Sequence, residues 1–186
     1  TLGDRQGKKI NLRVAGFDNH NISSDQKMDI ISLASQLLRN AVSHGIESSS
    51  TRSDSGKPIA GQIMLVLFDH GNDDFSLVCE DDGCGVNFVA LTKKAIKEKL
   101  ISLAEVHSVK PSQIFNLLLS SKLSSKDSVN SDAGRGVGLT VVGEIATKLG
   151  AKVSLKTNPN SGSRFTVRIS KSLHIKADNS SLQRLG

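Results

Sequence analysis

A chain of 186 residues, 37% hydrophobic and 23% charged, carries enough apolar material for one packed core. Its net charge of +6 and pI near 9.4 come from scattered basic residues with no Trp or Tyr beside them. That argues against a nucleic-acid reader and leaves a solvated basic surface, or one suited to a polyphosphate or an acidic partner. No apolar stretch reaches the roughly 18 residues that span a bilayer and no signal-peptide pattern is present, so a soluble, cytoplasmic chain without membrane contact is expected.

The start at Thr1 is expected of a segment of a longer protein. Ile10, Leu12 and Val14 alternate with polar residues, predicting a first strand with one face on a core. Apolar residues from Ile30 to Val42 then recur at helical spacing, predicting a helix from about Asp25 to His44, capped by Ser23 or Ser24 and stopped by Gly45. Ser48 to Pro58 is polar and aperiodic and reads as an exposed loop. Ile63–Phe68 and Phe75–Cys79 read as two antiparallel strands around a turn at His70–Asp73.

Phe88 to Leu100 and the segment opened by Pro111 carry helical patterns. Ser120 to Ala133 has no apolar face and reads as a mobile segment. A helix from Val137 to Leu149, closed by Gly150, precedes a hairpin in which Val153 and Leu155 face Phe165, Val167 and Ile169. The tail from Asp178 is polar. With no internal repeat, this order predicts an α+β fold, a sandwich with one mixed sheet. Cys79 and Cys84 match no zinc spacing and read as reduced thiols.

Three clusters carry candidate chemistry. Gln36, Asn40 and His44 fall at i, i+4 and i+8, a polar stripe on an otherwise apolar helix. It fits a solvent face beside Ser35, Arg39 and Ser43, or a ligand face on which the Asn40 amide oxygen meets Mg²⁺. Asp81 ends an apolar strand and is followed by Gly83 and Gly85, which permit an ordinary turn or a close approach to a flat ligand whose exocyclic amine a carboxylate can accept. Gly134, Gly136 and Gly138 open a helix, as a hinge for the preceding segment or as bare amides around an anion. The chain lacks the Gly-x-x-x-x-Gly-Lys-Ser/Thr phosphate loop and the dinucleotide fingerprint.

Taken in order, Leu38-Arg39-Asn40-Ala41-Val42-Ser43-His44-Gly45-Ile46-Glu47, Asp81 to Gly85, and Gly134-Arg135-Gly136-Val137-Gly138-Leu139 resemble the ATP-binding catalytic domain of the CheA-type chemotaxis histidine kinases. That family lies in the wider group that includes gyrase, the chaperone Hsp90 and MutL. The resemblance runs from roughly Gly7 to Ile175. It implies the Bergerat fold, a two-layer sandwich whose mixed sheet is faced on one side by helices, over residues 1–176, with 177–186 as a tail. It also implies ATP and Mg²⁺ as ligands. Asn40 would bind the metal, His44 would lie on the phosphate side, Asp81 would take the adenine amine, and Gly83 and Gly85 would shape the base end. Gly134, Arg135, Gly136, Val137, Gly138 and Leu139 would form the phosphate-binding run. Lys126, otherwise a solvated lid lysine, matches a lysine that reaches the terminal phosphate in some relatives.

Two departures stand out. The family's Gly-Phe-Ser-Thr lid run reads Lys122-Leu123-Ser124-Ser125, and its His four residues before the metal-binding Asn is Gln36. Gln cannot take a proton, which counts against water activation and an ATP hydrolase. Phosphoryl transfer depends mainly on positioning and charge stabilisation. Gln36, His44 and Lys126 are the candidate catalytic positions. The resemblance implies γ-phosphate transfer to a histidine on a separate phosphoacceptor domain in two-component signalling. It further implies a response regulator and receptor-coupling partners reached through other domains, and a homodimeric full-length protein. The alternatives are an ATP-binding signalling module that has lost catalysis and, after it, a hydrolase.

Overall fold

The computed structural model describes residues 7–18, 22, 24–120 and 137–170. Ser23, the Ser120–Ala133 segment beyond its first residue, Lys126, Gly134, Arg135, Gly136 and the 177–186 tail lie outside the described residues. The chain groups into two compact units, one of residues up to Val86 together with those from Ile145 onward, the other Asn87–Glu144.

The first unit is built on five strands: β1 (Lys9–Ala15), β2 (Ala60–Asp69), β3 (Asp74–Asp81), β4 (Lys152–Asn158) and β5 (Gly162–Ser170). They lie in the order β1-β2-β3-β5-β4, with β1 parallel to β2 and every other pair antiparallel. This is the mixed sheet of an α+β fold. Register stacks apolar residues on one face: Leu65 opposite Cys79 and Leu67 opposite Leu77, then Cys79 opposite Phe165, Leu77 opposite Val167 and Phe75 opposite Ile169. All eight are buried, as residues sharing one face at a two-residue period must be when that face is covered.

Helix α1 (Ser24–Asn40) covers β2 and β3. Its Ile30, Leu33, Ala34 and Leu37 are buried, one stripe at helical spacing. The alternating strand β1 is present, but its expected burial is not: Leu12 is 49% and Val14 55% exposed, because β1 is the sheet edge and α1 lies over its neighbours. The stretch expected to be an exposed loop contains a short helix, α2 (Ser49–Asp54), capped by the Ser48 hydroxyl accepting from the Thr51 amide. Polarity hid it, since its only buried residue is an arginine.

In the second unit, α3 (Phe88–Lys97) begins at Asn87, whose side chain accepts from the Ala90 amide at 3.0 Å. Ala95, Ile101, Ile114 and Leu118 form a small core there, with Leu91 and Leu100 against it. Helix α4 (Pro111–Ser120) supplies two of those residues. Helix α5 (Val137–Lys148) crosses the division, and its exit reverses at Gly150, φ 59°. No described helix is long and apolar enough to cross a membrane.

Candidate functional site

Strand periodicity explains how a carboxylate is buried at the end of β3. Phe75, Leu77, Cys79 and Asp81 alternate onto the same face, and Asp81 pairs with Ile63 on one side and Ser163 on the other. It is 7% exposed. Burial pushes its carboxyl pKa up to about 6; the neighbouring charges of Asp82 and Glu47 act in the same direction, while amide hydrogen bonds from Gly83 and Ser163 act against it. The Gly83 amide donates to Oδ1 at 3.0 Å.

The helix bearing the polar stripe changes pitch where the stripe matters. α1 ends at Asn40 and continues as a π-helical turn over Ala41–Gly45, closed by the Ile46 amide donating to the Ala41 carbonyl at 2.8 Å. Such turns carry an extra residue per turn and often mark functional sites. Here the turn brings Gly45 against Asp81, where a β-carbon at position 45 would stand 3.0 Å from Oδ1. The Gly45 carbonyl accepts from the Cys84 amide at 2.9 Å. A β-carbon at Gly83 would lie 2.1 Å from that oxygen, and Gly85 has φ +78°, so both positions are closed to side chains. Two of the three sequence clusters therefore meet.

Gln36 and Asn40 are half-buried, and Gln36 Nε2 donates to Asn40 Oδ1 at 3.4 Å. His44 is exposed, yet the protein around it desolvates the ring enough to lower its pKa, and the charge of Lys8 adds to the effect. Both effects favour the neutral ring. Lys8 Nζ donates to the carbonyls of Val42 at 2.8 Å and Ser43 at 3.0 Å, tying the start of β1 to the π turn.

Sequence reading missed the residues behind this turn. Arg52 is 1% exposed and bonds Glu47 Oε2 at 2.9 Å and Asp82 Oδ2 at 2.8 Å. Lys57 meets Glu47 Oε1 at 2.7 Å and the Gly83 carbonyl at 2.8 Å. Burial works to raise the Glu47 pKa, but the hydrogen bonds from Lys57 and Arg52 leave it below the usual carboxylate value. The available signal was charge: Glu47, Arg52 and Lys57 stand close together in the sequence as opposite charges able to pair.

Among the described residues no group of three or more His, Cys, Asp or Glu side chains could hold a metal. A single amide oxygen at Asn40 suits a hard cation such as Mg²⁺, which keeps several waters and takes phosphate oxygens alongside few protein ligands. Of the second glycine island, Gly138 and Leu139 are partly buried in the first turn of α5, where Val137 begins the helix. Cys79 and Cys84 are free thiols, as expected, and burial pushes Cys79 up to about 12.

Residues 26–173 match the family described as histidine kinase-, DNA gyrase B-, and HSP90-like ATPase. The chain is 37% identical over 179 residues to the chemotaxis protein CheA of Listeria innocua, a match covering 94% of this chain and 28% of that protein. It is 34% identical to CheA of Bacillus subtilis, covering 90% of this chain and 25% of the relative, and 34% identical to the gliding motility regulatory protein of Myxococcus xanthus, covering 91% and 22%. The chain thus spans about a quarter of the length of these relatives. Its fold is similar to the histidine kinase domain of the Erythrobacter litoralis blue-light activated histidine kinase, with TM-score 0.50, 16% identity, and coverage of 92% of this chain and 55% of that one. It is likewise similar to full-length ShkA in complex with AMPPNP, with TM-score 0.51, 15% identity, and coverage of 90% and 26%.

Proposed function

Because the chain belongs to the histidine kinase-, DNA gyrase B-, and HSP90-like ATPase family and is a CheA-like ATP-binding domain, we propose that it binds Mg·ATP and delivers the γ-phosphoryl group to a histidine on a separate phosphoacceptor domain. The observation that carries the nucleotide reading is the contact between the two clusters: the end of the Asn40 helix packs on the buried Asp81 carboxylate and on Gly83.

In this reading the Asp81 carboxylate accepts from the adenine amine, and the bare backbone at Gly83 and Gly85 lets the base lie against the turn. Asn40 holds Mg²⁺, which when bound bridges phosphate oxygens and neutralises charge developing on them. Gln36 orients the Asn40 oxygen through its amide. His44, exposed, lies on the phosphate side. The run Gly134, Arg135, Gly136, Val137, Gly138 and Leu139 holds the phosphates with amides at a helix start, and Lys126 reaches the terminal phosphate; these assignments rest on sequence. Residues 1–176 act as the catalytic domain of a longer cytoplasmic kinase, homodimeric when complete, that passes phosphate to a response regulator and answers receptor-coupling partners.

Incubating the chain with γ-labelled ATP and the cognate phosphoacceptor domain tests this: label on a histidine of the acceptor is expected, and its absence while ATP is bound overturns the kinase reading. That outcome would favour an ATP-binding signalling module without transfer, a reading to which Gln36 lends support because an amide cannot exchange a proton.

A further inference from the structure

The polar segment between the Asn40 helix and β2 holds a charge cluster that the nucleotide reading leaves unused. The buried Arg52 guanidinium donates from Nε to the Pro58 carbonyl at 2.7 Å, from Nη1 to Glu47 Oε2 at 2.9 Å and the Asp82 carbonyl at 3.3 Å, and from Nη2 to Asp82 Oδ2 at 2.8 Å. Lys57 donates to Glu47 Oε1 at 2.7 Å and to the carbonyls of Asp82 at 3.1 Å and Gly83 at 2.8 Å. Asp82 Oδ1 takes the Gln62 amide at 2.8 Å.

The two cations grip backbone as well as carboxylates. Between them they fix both carbonyls that follow Asp81, the Asp82 side chain, and Glu47, which leads out of the π turn. The same Gly83 donates its amide to Asp81, so both peptide groups flanking its α-carbon are held, one by Asp81 and the other by Lys57. A burial this complete for an arginine is retained only with its partners in place, and Asp82 of the turn is one of them through both its carbonyl and its carboxylate. The cluster also sets the field at the carboxylate, since Glu47 and Asp82 both oppose ionisation of Asp81 and Arg52 and Lys57 neutralise them.

Resting on the nucleotide reading above, we propose that Arg52 and Lys57 are positioning residues for base specificity: from outside the pocket they hold the Asp81–Gly83 turn so that its carboxylate meets a purine amine rather than a purine carbonyl.

The test is a calorimetric titration of Mg-bound, non-hydrolysable ATP and GTP analogues into wild type, Lys57→Met and Lys57→Arg, with a carbon NMR titration of the Asp81 carboxyl in each. Lys57 is chosen because its side chain is 17% exposed and its loss threatens folding less than loss of Arg52; Arg52→Met is added where it folds. Lys57→Met is expected to lose tenfold or more in ATP affinity and most of the preference over GTP, to titrate Asp81 at higher pH, and to regain both properties as Lys57→Arg. Unchanged preference and an unchanged Asp81 midpoint in folded Lys57→Met overturn the proposal and leave the nucleotide site standing. Uniformly weaker binding of both analogues also overturns it. Wild type that binds neither analogue removes the nucleotide reading and this inference with it.

Discussion

Gly45 ends its π turn directly on Asp81: a β-carbon at 45 would stand 3.0 Å from the carboxylate oxygen, and the Gly45 carbonyl lies where a β-carbon of Gly83 would need to be. Backbone meets backbone there with no space between. Gly83→Ala is therefore expected to overpack by about 1–3 kcal/mol, lowering Tm by several degrees in a chain of this size, and to weaken nucleotide binding further than its stability loss explains. Thermal scans and titrations on the same sample check both.

Asp81 is held ionised at a cost in stability. Its folded pKa, about 6, lies above the usual value near 3.9, so the native state binds more protons than the unfolded chain between those limits. The penalty is fully present above pH 6 and disappears as pH falls toward 4. Asp81→Asn is expected to be more stable than wild type at pH 7 by roughly 1–3 kcal/mol, with the gap closing between pH 6 and pH 4. Denaturant unfolding at several pH values measures it; a pH-independent gap contradicts the burial argument.

The same titration should appear in binding. If ionised Asp81 accepts from the adenine amine, affinity for ATP falls as pH drops below about 6, and that part of the pH profile is missing in Asp81→Asn. Calorimetry at pH 5, 6 and 7 on both proteins separates it from the nucleotide's own ionisation.

Gln36 donates to the Asn40 oxygen at 3.4 Å, a long bond worth of order 1 kcal/mol or less. Gln36→Met is expected to weaken Mg·ATP by up to about fivefold while leaving metal-free ATP unchanged. Equal weakening of both contradicts the orienting role. Gln36→His, assayed by transfer to the phosphoacceptor domain, asks whether the amide limits catalysis: a large gain marks the present chain as impaired.

Much of the fold was legible because its periods are clean. The two-residue alternation of Ile63 to Phe68 and Phe165 to Ile169 and the helical stripe from Ile30 to Ala41 report burial directly, and the run Phe75 to Cys79 is buried throughout. The same period did not reveal that β1 is an edge, since Leu12 and Val14 alternate like core residues and only sheet order decides what covers them. In the site, Asn40, Asp81 and Gly83 were legible as chemistry at turns. The π turn was not, because one extra residue in a helix leaves no compositional mark. Arg52 and Lys57 were hidden for another reason: hydropathy reads a buried ion cluster as solvent-facing loop, and only the pairing with Glu47 and Asp82 makes its burial possible.

Asn40→Asp adds a charge where a neutral oxygen stands beside the Gln36 amide, and is expected to change metal preference and weaken Mg·ATP without altering adenine selection, whereas Asp81→Asn is expected to lose adenine selection and ATP affinity alike, with or without the metal. Titrating ATP and GTP analogues with and without Mg²⁺ into both variants distinguishes the two roles.

The central claim, that the Asp81 turn and the Asn40 helix end form an adenine-nucleotide site, is tested most directly by calorimetric titration of Mg-bound, non-hydrolysable ATP into wild type and Asp81→Asn; with no Trp or Tyr in the chain, heat is a better signal than intrinsic fluorescence. Saturable binding to wild type that is lost in a folded Asp81→Asn is the expected result. Equal binding by both proteins, or none by wild type, contradicts it.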